Sequence, residues 1–409
     1  MKRYERYKPS GIQWIGEIPD HWTLATVGRV SNLGRGRVIS SIEIGENPGE
    51  FPVYSSQTEN NGVMGYLNSF NFKGEYVTWT TDGANAGTVF FRKGKFNCTN
   101  VCGTIQPKNW EQIDLRFIPY FLNLGTKYSV RLDINPKLMN NMMAKIPIVI
   151  PPKEEQTAIA NYLNYKTAQI DDLIAKKYRF IDLLNEEKTA IINQAVTKGL
   201  DPNTPMKDSG IHWLEEIPAN WEVKKLKYLA WAINEKTEYD IEFKISLENI
   251  ESKTGRLISL ENENNFQGEL RKFQKGDVLF NKLRPYLAKA YLADKNGGCL
   301  GELLIFRSKG ELIPTFLFYR VLSYDFIKIV DSSTYGSKMP RASWDDFISQ
   351  LLIPYPQNDE QTAIANYLDR KTDQMDDVIS KTHHEIELLQ EYRTVLISEA
   401  VTGKIDVRI

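Results

Sequence analysis

The sequence predicts an α+β protein: two mixed α/β domains separated by two long helices that form an antiparallel coiled coil, the halves related by a pseudo-two-fold axis. Three observations carry this expectation. The chain is written twice, its repeated segments have the heptad pattern of long helices, and the blocks between them carry short, turn-bounded apolar runs.

The repeat comes first, because a missed repeat misreads the whole chain. Ser10-Gly11-Ile12-Gln13-Trp14, with Ile18-Pro19 and Trp22, recurs as Ser209-Gly210-Ile211-His212-Trp213 with Ile217-Pro218 and Trp221, 199 positions later. Glu155 to Leu163 recurs letter for letter as Glu360 to Leu368, 205 positions later. Extended to Thr197 and Thr402, that second match gives 25 identities in 43 positions. The boundaries that follow are 1–152 for the first domain with its opening motif, 153–200 for the first helix, 201–356 for the second domain with the repeated motif, and 357–409 for the second helix and tail.

The repeated segments read as helices. Gln156–Lys198 and Gln361–Thr402 contain no Gly or Pro; Pro151-Pro152 precedes the first, Gly199 and Pro202 follow it, and Gly403 ends the second. These are start and stop signals for long helices. Stepping by alternating four and three from 159 meets Ile159, Leu163, Ile170, Leu173, Phe180, Leu184 and Ile191, with Lys166, Lys177 and Glu187 as polar exceptions and Ile174, Ile181 and Ile192 widening the stripe. The second copy places Ile364, Leu368, Met375, Val378, Leu389 and Leu396 in the same frame, with Ile386 and Ile397 beside it. A seam sustained over about six heptads predicts a coiled coil. Two independent amphipathic helices, each lying on its own domain, are the alternative. A helix about 60 Å long outreaches such a domain, and a duplicated unit pairs most simply with its own copy, antiparallel across a two-fold axis.

The blocks between are sheet-like. Tyr76–Thr80, Gly87–Phe91, Gly276–Phe280 and Leu303–Phe306 read as strands, with turns at Asp82-Gly83 and Lys93-Gly94. Each block has one helical candidate, Phe117–Leu124 and Thr315–Leu322. The blocks barely resemble each other.

Bulk properties exclude several classes. The 409 residues are 42% hydrophobic and 25% charged, as in ordinary globular proteins. No apolar stretch approaches a membrane span, and the charged start Met1–Arg6 predicts no signal peptide, so a cytoplasmic protein with no membrane partner is expected. Cys98, Cys102 and Cys299 are read as buried thiols, because no further ligands follow at zinc spacing. The net charge of −1 hides a distribution: 13 Lys/Arg face 9 Asp/Glu in 25–150, 20 face 17 in 224–355, and 4 face 10 in 357–402. Two mildly basic blocks leave room for a nucleic-acid face, although ordinary surface fluctuation gives the same split.

A rod with a different domain at each end suits two different targets at a fixed separation. Duplex DNA fits, because about 60 Å is somewhat under two helical turns of about 34–36 Å each. Unlike end domains imply an asymmetric, bipartite site.

At this point the residues carry a family resemblance. The alternation of two variable blocks with two near-identical helices resembles the specificity subunits of type I restriction–modification enzymes. So do the Ser-Gly-Ile-x-Trp…Ile-Pro-x-x-Trp motifs and the run-in Ile146-Pro147-Ile148-Val149-Ile150-Pro151-Pro152…Glu155-Gln156, echoed by Ile353-Pro354-Tyr355-Pro356…Glu360-Gln361. Lys275–Tyr286 resembles one type of that family's recognition domains, and Thr81–Gly87 resembles a Gly-Ala turn of others. Gln357-Asn358 departs from the first copy, which has Pro152. The resemblance implies that each block is a target recognition domain reading one half-site of double-stranded DNA. It implies that the helices set the spacer and dock two methyltransferase subunits, joined by motor–nuclease restriction subunits. S-adenosylmethionine, ATP and magnesium would serve those partners, with no cofactor in this chain.

Missing motifs agree with a chain that recognises and does not catalyse. Asn135-Pro136-Lys137 is as near as the chain comes to an amino-methyltransferase tetrapeptide, and it has no Gly-x4-Gly-Lys phosphate loop. Gly34-x-Gly36 reads as a turn, His383-His384 as a solvated helix face, and Asp171-Asp172 and Asp376-Asp377 as a solvated or subunit-contacting face with no metal. The candidate DNA-binding residues are Arg35, Arg37, Arg92, Lys93, Lys95, Arg131 and Lys137 in the first domain, and Lys282, Arg284, Lys289, Tyr335, Lys338 and Arg341 in the second. These are the residue types that meet phosphates and base edges from loops and helix ends. Trp14, Trp22, Trp213 and Trp221 are assigned to packing at the domain neck.

Two other functions compete. A stand-alone metal-dependent nuclease would cleave DNA with magnesium and no partner. A non-DNA coiled-coil scaffold would bind random duplex at no salt concentration, whereas a DNA reader binds it weakly and releases it as salt rises.

Overall fold

A computed structural model describes residues 2–131, 135–237, 241–258, 269–336 and 338–408. Ser337, within the basic stretch 335–341, lies outside the described residues. The chain divides into two compact units, Met1–Lys176 with His384–Ile409, and Lys177–His383. The division falls inside the long helices, so each helix gives one half to each unit.

The helices form where the sequence predicts. The first spans Lys153–Lys198, with Glu154 and Glu155 in its first turn and Lys198 in its last, which suits the helix dipole. The second spans Asn358–Val401, opened by Asp359 and Glu360. Gln357 in place of Pro152 leaves the start at the equivalent position. Gly403 has φ +72°, and a Cβ there would lie 2.3 Å from Pro19 Cδ, so the stop requires glycine by conformation and by space.

In the first unit, six strands form one sheet: β1 (Ser31–Arg35), β2 (Pro48–Tyr54), β3 (Val63–Leu67), β4 (Phe72–Thr80), β5 (Val89–Cys98) and β6 (Cys102–Pro107), in the order β1-β6-β4-β5-β2-β3. Lys93-Gly94 is not the predicted turn. It lies within β5, where Gly94 (φ +104°) faces Gly74 (φ +115°) on β4. The paired glycines let the β4–β5 ribbon bend, so that the Cys98 end of β5 returns to the start of β6, where the Cys102 amide bonds the Thr99 carbonyl at 3.0 Å. Gly34-x-Gly36 is not a simple turn either. Gly34 is in β1, and a Cβ on Gly36 would lie 2.1 Å from the Cys98 carbonyl oxygen, so this glycine serves a close backbone approach. The Phe117–Gly125 helix and residues Trp22, Trp79, Ile105, Phe121 and Ile148 form one core with Ile159, Leu163, Ile170 and Leu396 of the long helices.

In the second unit, two four-stranded sheets replace the single one. The strands are β7 (Ala230–Ile233), β8 (Lys236–Thr237), β9 (Lys244–Ile245), β10 (Leu270–Phe273), β11 (Val278–Asn281), β12 (Ala290–Leu292), β13 (Gly297–Leu300) and β14 (Leu303–Ser308). The orders are β7-β14-β11-β12 and β8-β10-β13-β9. The Pro314–Leu322 and Tyr324–Ser332 helices pack with Trp221, Phe280, Phe306, Ile364 and Leu368.

Within each unit the two helix halves run antiparallel. In the first, Asp171 meets Arg393 and, past the end of the second helix, Arg408 of the tail meets Glu155; in the second, Tyr178 meets His383 and Lys188 meets Asp376. The predicted seam needs correction at alternate positions. Ile159, Leu163, Ile170, Ile364, Leu368 and Leu396 are buried, and Leu184, Ile191, Met375 and Leu389 are half-buried, but Leu173, Phe180 and Val378 are exposed. The buried stripe also takes in Thr167, Ile181 and Lys188, with Ile174 half-buried, and Thr372, Asp376, Thr382 and Ile386; of these Ile174, Ile181 and Ile386 are the ones expected beside the seam. Several of these are polar, and a frame chosen by apolar letters steps past them. Asp376, expected on a solvated face, is buried: Lys188 Nζ lies 2.7 Å from both its carboxylate oxygens.

Candidate nucleic-acid interfaces

Both units share a mount built from the repeated Glu-Gln pair. In the first unit Trp22 Nε1 donates to Glu155 at 3.0 Å; in the second Trp221 Nε1 donates to Glu360 at 3.0 Å. Gln156 Nε2 donates to the Pro151 and Gln112 carbonyls, and its oxygen accepts from the Asp114 amide. Gln361 repeats this with Pro356, Glu311 and the Ile313 amide. Trp22 and Trp221 are fully buried, and Trp14 stacks on Tyr128 at 5.2 Å, so the tryptophans hold the domain neck as expected.

In the first domain, loops gather at the β4–β5 turn. The Leu138 amide bonds the Thr81 carbonyl, the Gly83 amide bonds the Pro136 carbonyl, and the Thr81 amide bonds the Val101 carbonyl. Asn140 reaches the Gly34 carbonyl at 3.1 Å, and Arg35 donates to the Asn100 carbonyl. Exposed Arg35, Arg131 and Lys137 are thereby brought onto one group of connected loops. Arg131 and Lys137 exchange backbone hydrogen bonds.

The other first-domain candidates are placed differently. Arg37 is exposed but paired with Glu43, Lys93 is paired with Glu75 at 3.0 Å, and Lys95 sits over the Phe51 and Phe70 rings. Arg92 is a correction: it is 3% exposed, its guanidinium lies 3.6 Å from the Tyr54 ring centroid, and burial lowers its pKa. It packs inside the domain and presents no surface to a duplex.

In the second domain, Lys282, Arg284, Tyr335 and Arg341 come together. The Arg284 amide bonds the Pro340 carbonyl, the Ala342 amide bonds the Lys282 carbonyl, and Tyr335 and Arg341 exchange backbone hydrogen bonds. These loops border a cleft of about 370 Å³ lined in part by Arg271, Lys282, Arg341, Asn234, Trp344 and Asp345. Lys338 is exposed, whereas the Lys289 ammonium is tied to the Leu247 carbonyl at 3.0 Å. Sequence reasoning missed Arg271, Asn234 and Trp344. Arg271 lies on strand β10, and a search for cations on loops and helix ends excludes it.

The remaining sequence features fall as follows. Cys98, Cys102 and Cys299 are buried and free. His383 and His384 are exposed. Asp377 pairs with Lys381 at 2.6 Å and Asp172 with Lys176 at 2.7 Å, both within their own helix. No helix among the described residues is long and apolar enough to cross a membrane.

With this geometry in place, comparison with known proteins is decisive. Residues 19–181 match the family profile of the type I restriction modification DNA specificity domain. A Mycoplasma pneumoniae protein named as the N-terminus of a type I specificity subunit, S.MpnORF289P, is 48% identical over 136 residues, 33% of this chain and 72% of that protein. The chain belongs to the type I restriction–modification specificity subunits. The EcoDI specificity subunit of Escherichia coli is 21% identical over 95% of this specificity subunit and 90% of its own length. Further M. pneumoniae specificity subunits are matched over 37% to 60% of their length. A chain solved in work on complex assembly and conformational transition of the type I R-M system superposes with a TM-score of 0.71 at 13% identity, covering 95% of this specificity subunit and 99% of that chain. That likeness establishes the fold.

Proposed function

We propose that this specificity subunit reads an asymmetric, bipartite site in double-stranded DNA, one recognition domain to each half-site, and catalyses nothing itself. One observation carries the reading. The same Glu-Trp and Gln clamps hold two unlike heads, a six-stranded sheet in one unit and two four-stranded sheets in the other. An identical mount with different reading surfaces suits two different half-sequences; identical heads would suit a palindrome. The loops around Arg35, Arg131 and Lys137 serve the first half-site, and those around Lys282, Arg284, Tyr335, Lys338 and Arg341 the second. The paired helices set the spacer and dock two methyltransferase subunits, with restriction subunits completing the enzyme. S-adenosylmethionine, ATP and magnesium are used by those partners.

Methylation mapping of the assembled enzyme tests the reading. Removing one heptad from both helices shortens each by about 10 Å, so the spacer is expected to change by about 3 base pairs with both half-sequences intact. An unchanged spacer refutes the ruler. Replacing residues 224–355 with the block of another specificity subunit is expected to change one half-sequence only; a change in both means that the domains do not read independently.

A further inference from the structure

We infer that the cleft between Arg271, Lys282 and Arg341 seats a backbone phosphate of the duplex, whereas exposed Tyr335 in its lining and exposed Lys338 beside it are left to meet bases. This rests on the DNA-reading assignment above. Cations nearby on the same two sheets have carboxylate partners: Lys236 with Glu269 at 2.9 Å, Lys272 with Glu235 at 3.7 Å, and Arg307 with Asp277 at 2.7 Å. The three cations lining the cleft have no ion-pair partner among the described residues. Asp345 is the one carboxylate in the described lining, and it is exposed.

The cations also disturb one another. Lys282 is half-buried, and its pKa is lowered first by that burial and then by Arg271 and Arg341, with Glu302 opposing. A fold that crowds three unpaired cations around a concave surface holds a standing repulsion, which a bound anion relieves. The backbone keeps them there. The Lys282 amide bonds the Glu302 carbonyl at 3.1 Å, its carbonyl accepts from the Ala342 amide at 2.9 Å, and Arg271 is fixed in β10 opposite Cys299.

The anion at hand is a phosphodiester. Phosphates stand out from a duplex and fit a concave site, whereas base edges lie within the grooves and are reached by projecting groups. A partly desolvated lysine offers a point charge suited to phosphate, and the two arginines offer forked donors. The charged groups of the described lining are mostly cations, and it includes one side-chain amide, Asn234; arginines fork onto guanine edges as well as phosphates, so the salt slope and the base preference together separate the two uses.

The test uses the full chain with its methyltransferase subunits, on a duplex carrying the mapped site and on random duplex of the same length, over a salt series. Arg271→Ala, Lys282→Ala and Arg341→Ala are each expected to weaken both complexes by the same factor, on the order of tenfold. The slope of log K against log salt should become shallower by about 0.9 for each phosphate no longer neutralised, and the methylated sequence should not change. Arg271→Lys and Arg341→Lys should keep the slope. Lys282→Met should raise the thermal midpoint while weakening binding, which separates loss of phosphate binding from a damaged fold. Relaxed preference at one base position with the slope retained would make the cleft a base reader and overturn the inference. So would wild-type affinity in all three alanine variants. A wild-type assembly that binds neither duplex overturns the DNA reading, and this site with it.

Discussion

Asp376→Ala is expected to destabilise the chain by about 3–5 kcal/mol, because it strands a buried cation. Lys188 Nζ lies 2.7 Å from both Asp376 oxygens, and the two side chains are 5% and 9% exposed. Arg256 adds a second cation 3.2 Å from the same carboxylate. Without Asp376, Lys188 stays between the helices with its charge unmatched. Replacing both partners by apolar residues, Lys188→Met with Asp376→Leu, should restore most of the stability, because the desolvation cost of both charges goes too. Urea unfolding of the two single variants and the double variant measures the coupling. A cost below about 1 kcal/mol in Asp376→Ala would mean that the pair is screened like a surface salt bridge. The double variant bears on function as well. A single buried polar layer can fix helix register, so methylation mapping of the double variant should show more than one spacer length.

Glu155→Ala is expected to cost about 2–4 kcal/mol, and Glu360→Ala about half as much, although the two glutamates are repeats of each other. Glu155 accepts from Tyr4 (3.1 Å), Trp22 (3.0 Å) and Arg408 (3.0 Å), and lies 2.7 Å from His21 Nε2. It therefore ties residues from both chain ends to the start of the first long helix. Glu360 accepts from Trp221 at 3.0 Å and Asn220 at 3.1 Å. Removing Glu155 leaves the buried Tyr4 hydroxyl and Trp22 indole without their acceptor. Burial, the largest cause of the raised Tyr4 pKa, stays in the variant along with the nearby Asp406 charge, while the contributions of Glu155 itself are lost. Thermal unfolding of the two alanine variants side by side is the check. Equal costs would show that the extra partners of Glu155 contribute nothing.

Much of the fold was legible because repetition and helical periodicity are properties of residue order. A nine-residue identity, two Gly- and Pro-free segments and their flanking breakers place both long helices within about three residues of where they lie. The seam was legible only where it is apolar. Lys188 and Asp376 are inside because they pair across the helices, and Thr372 because it meets Tyr319 of the second domain; no local pattern announces such partners.

The candidate sites were less legible for a related reason. Basic letters mark a position as charged but say nothing of which way the backbone points it. Arg92 and Arg271 illustrate both errors, one buried against Tyr54 and the other carried into a cleft from a strand. Residue order alone determined the duplicated plan, the helices, their start and stop, and the likeness to a family of DNA-specificity subunits. Tertiary structure decided the rest: the polar layer between the helices, the glycine bend of the β4–β5 ribbon, and which cations are paired and which stand free. Those depend on pairings between residues far apart in the chain, and the free energy of a buried charge is set by whatever meets it there.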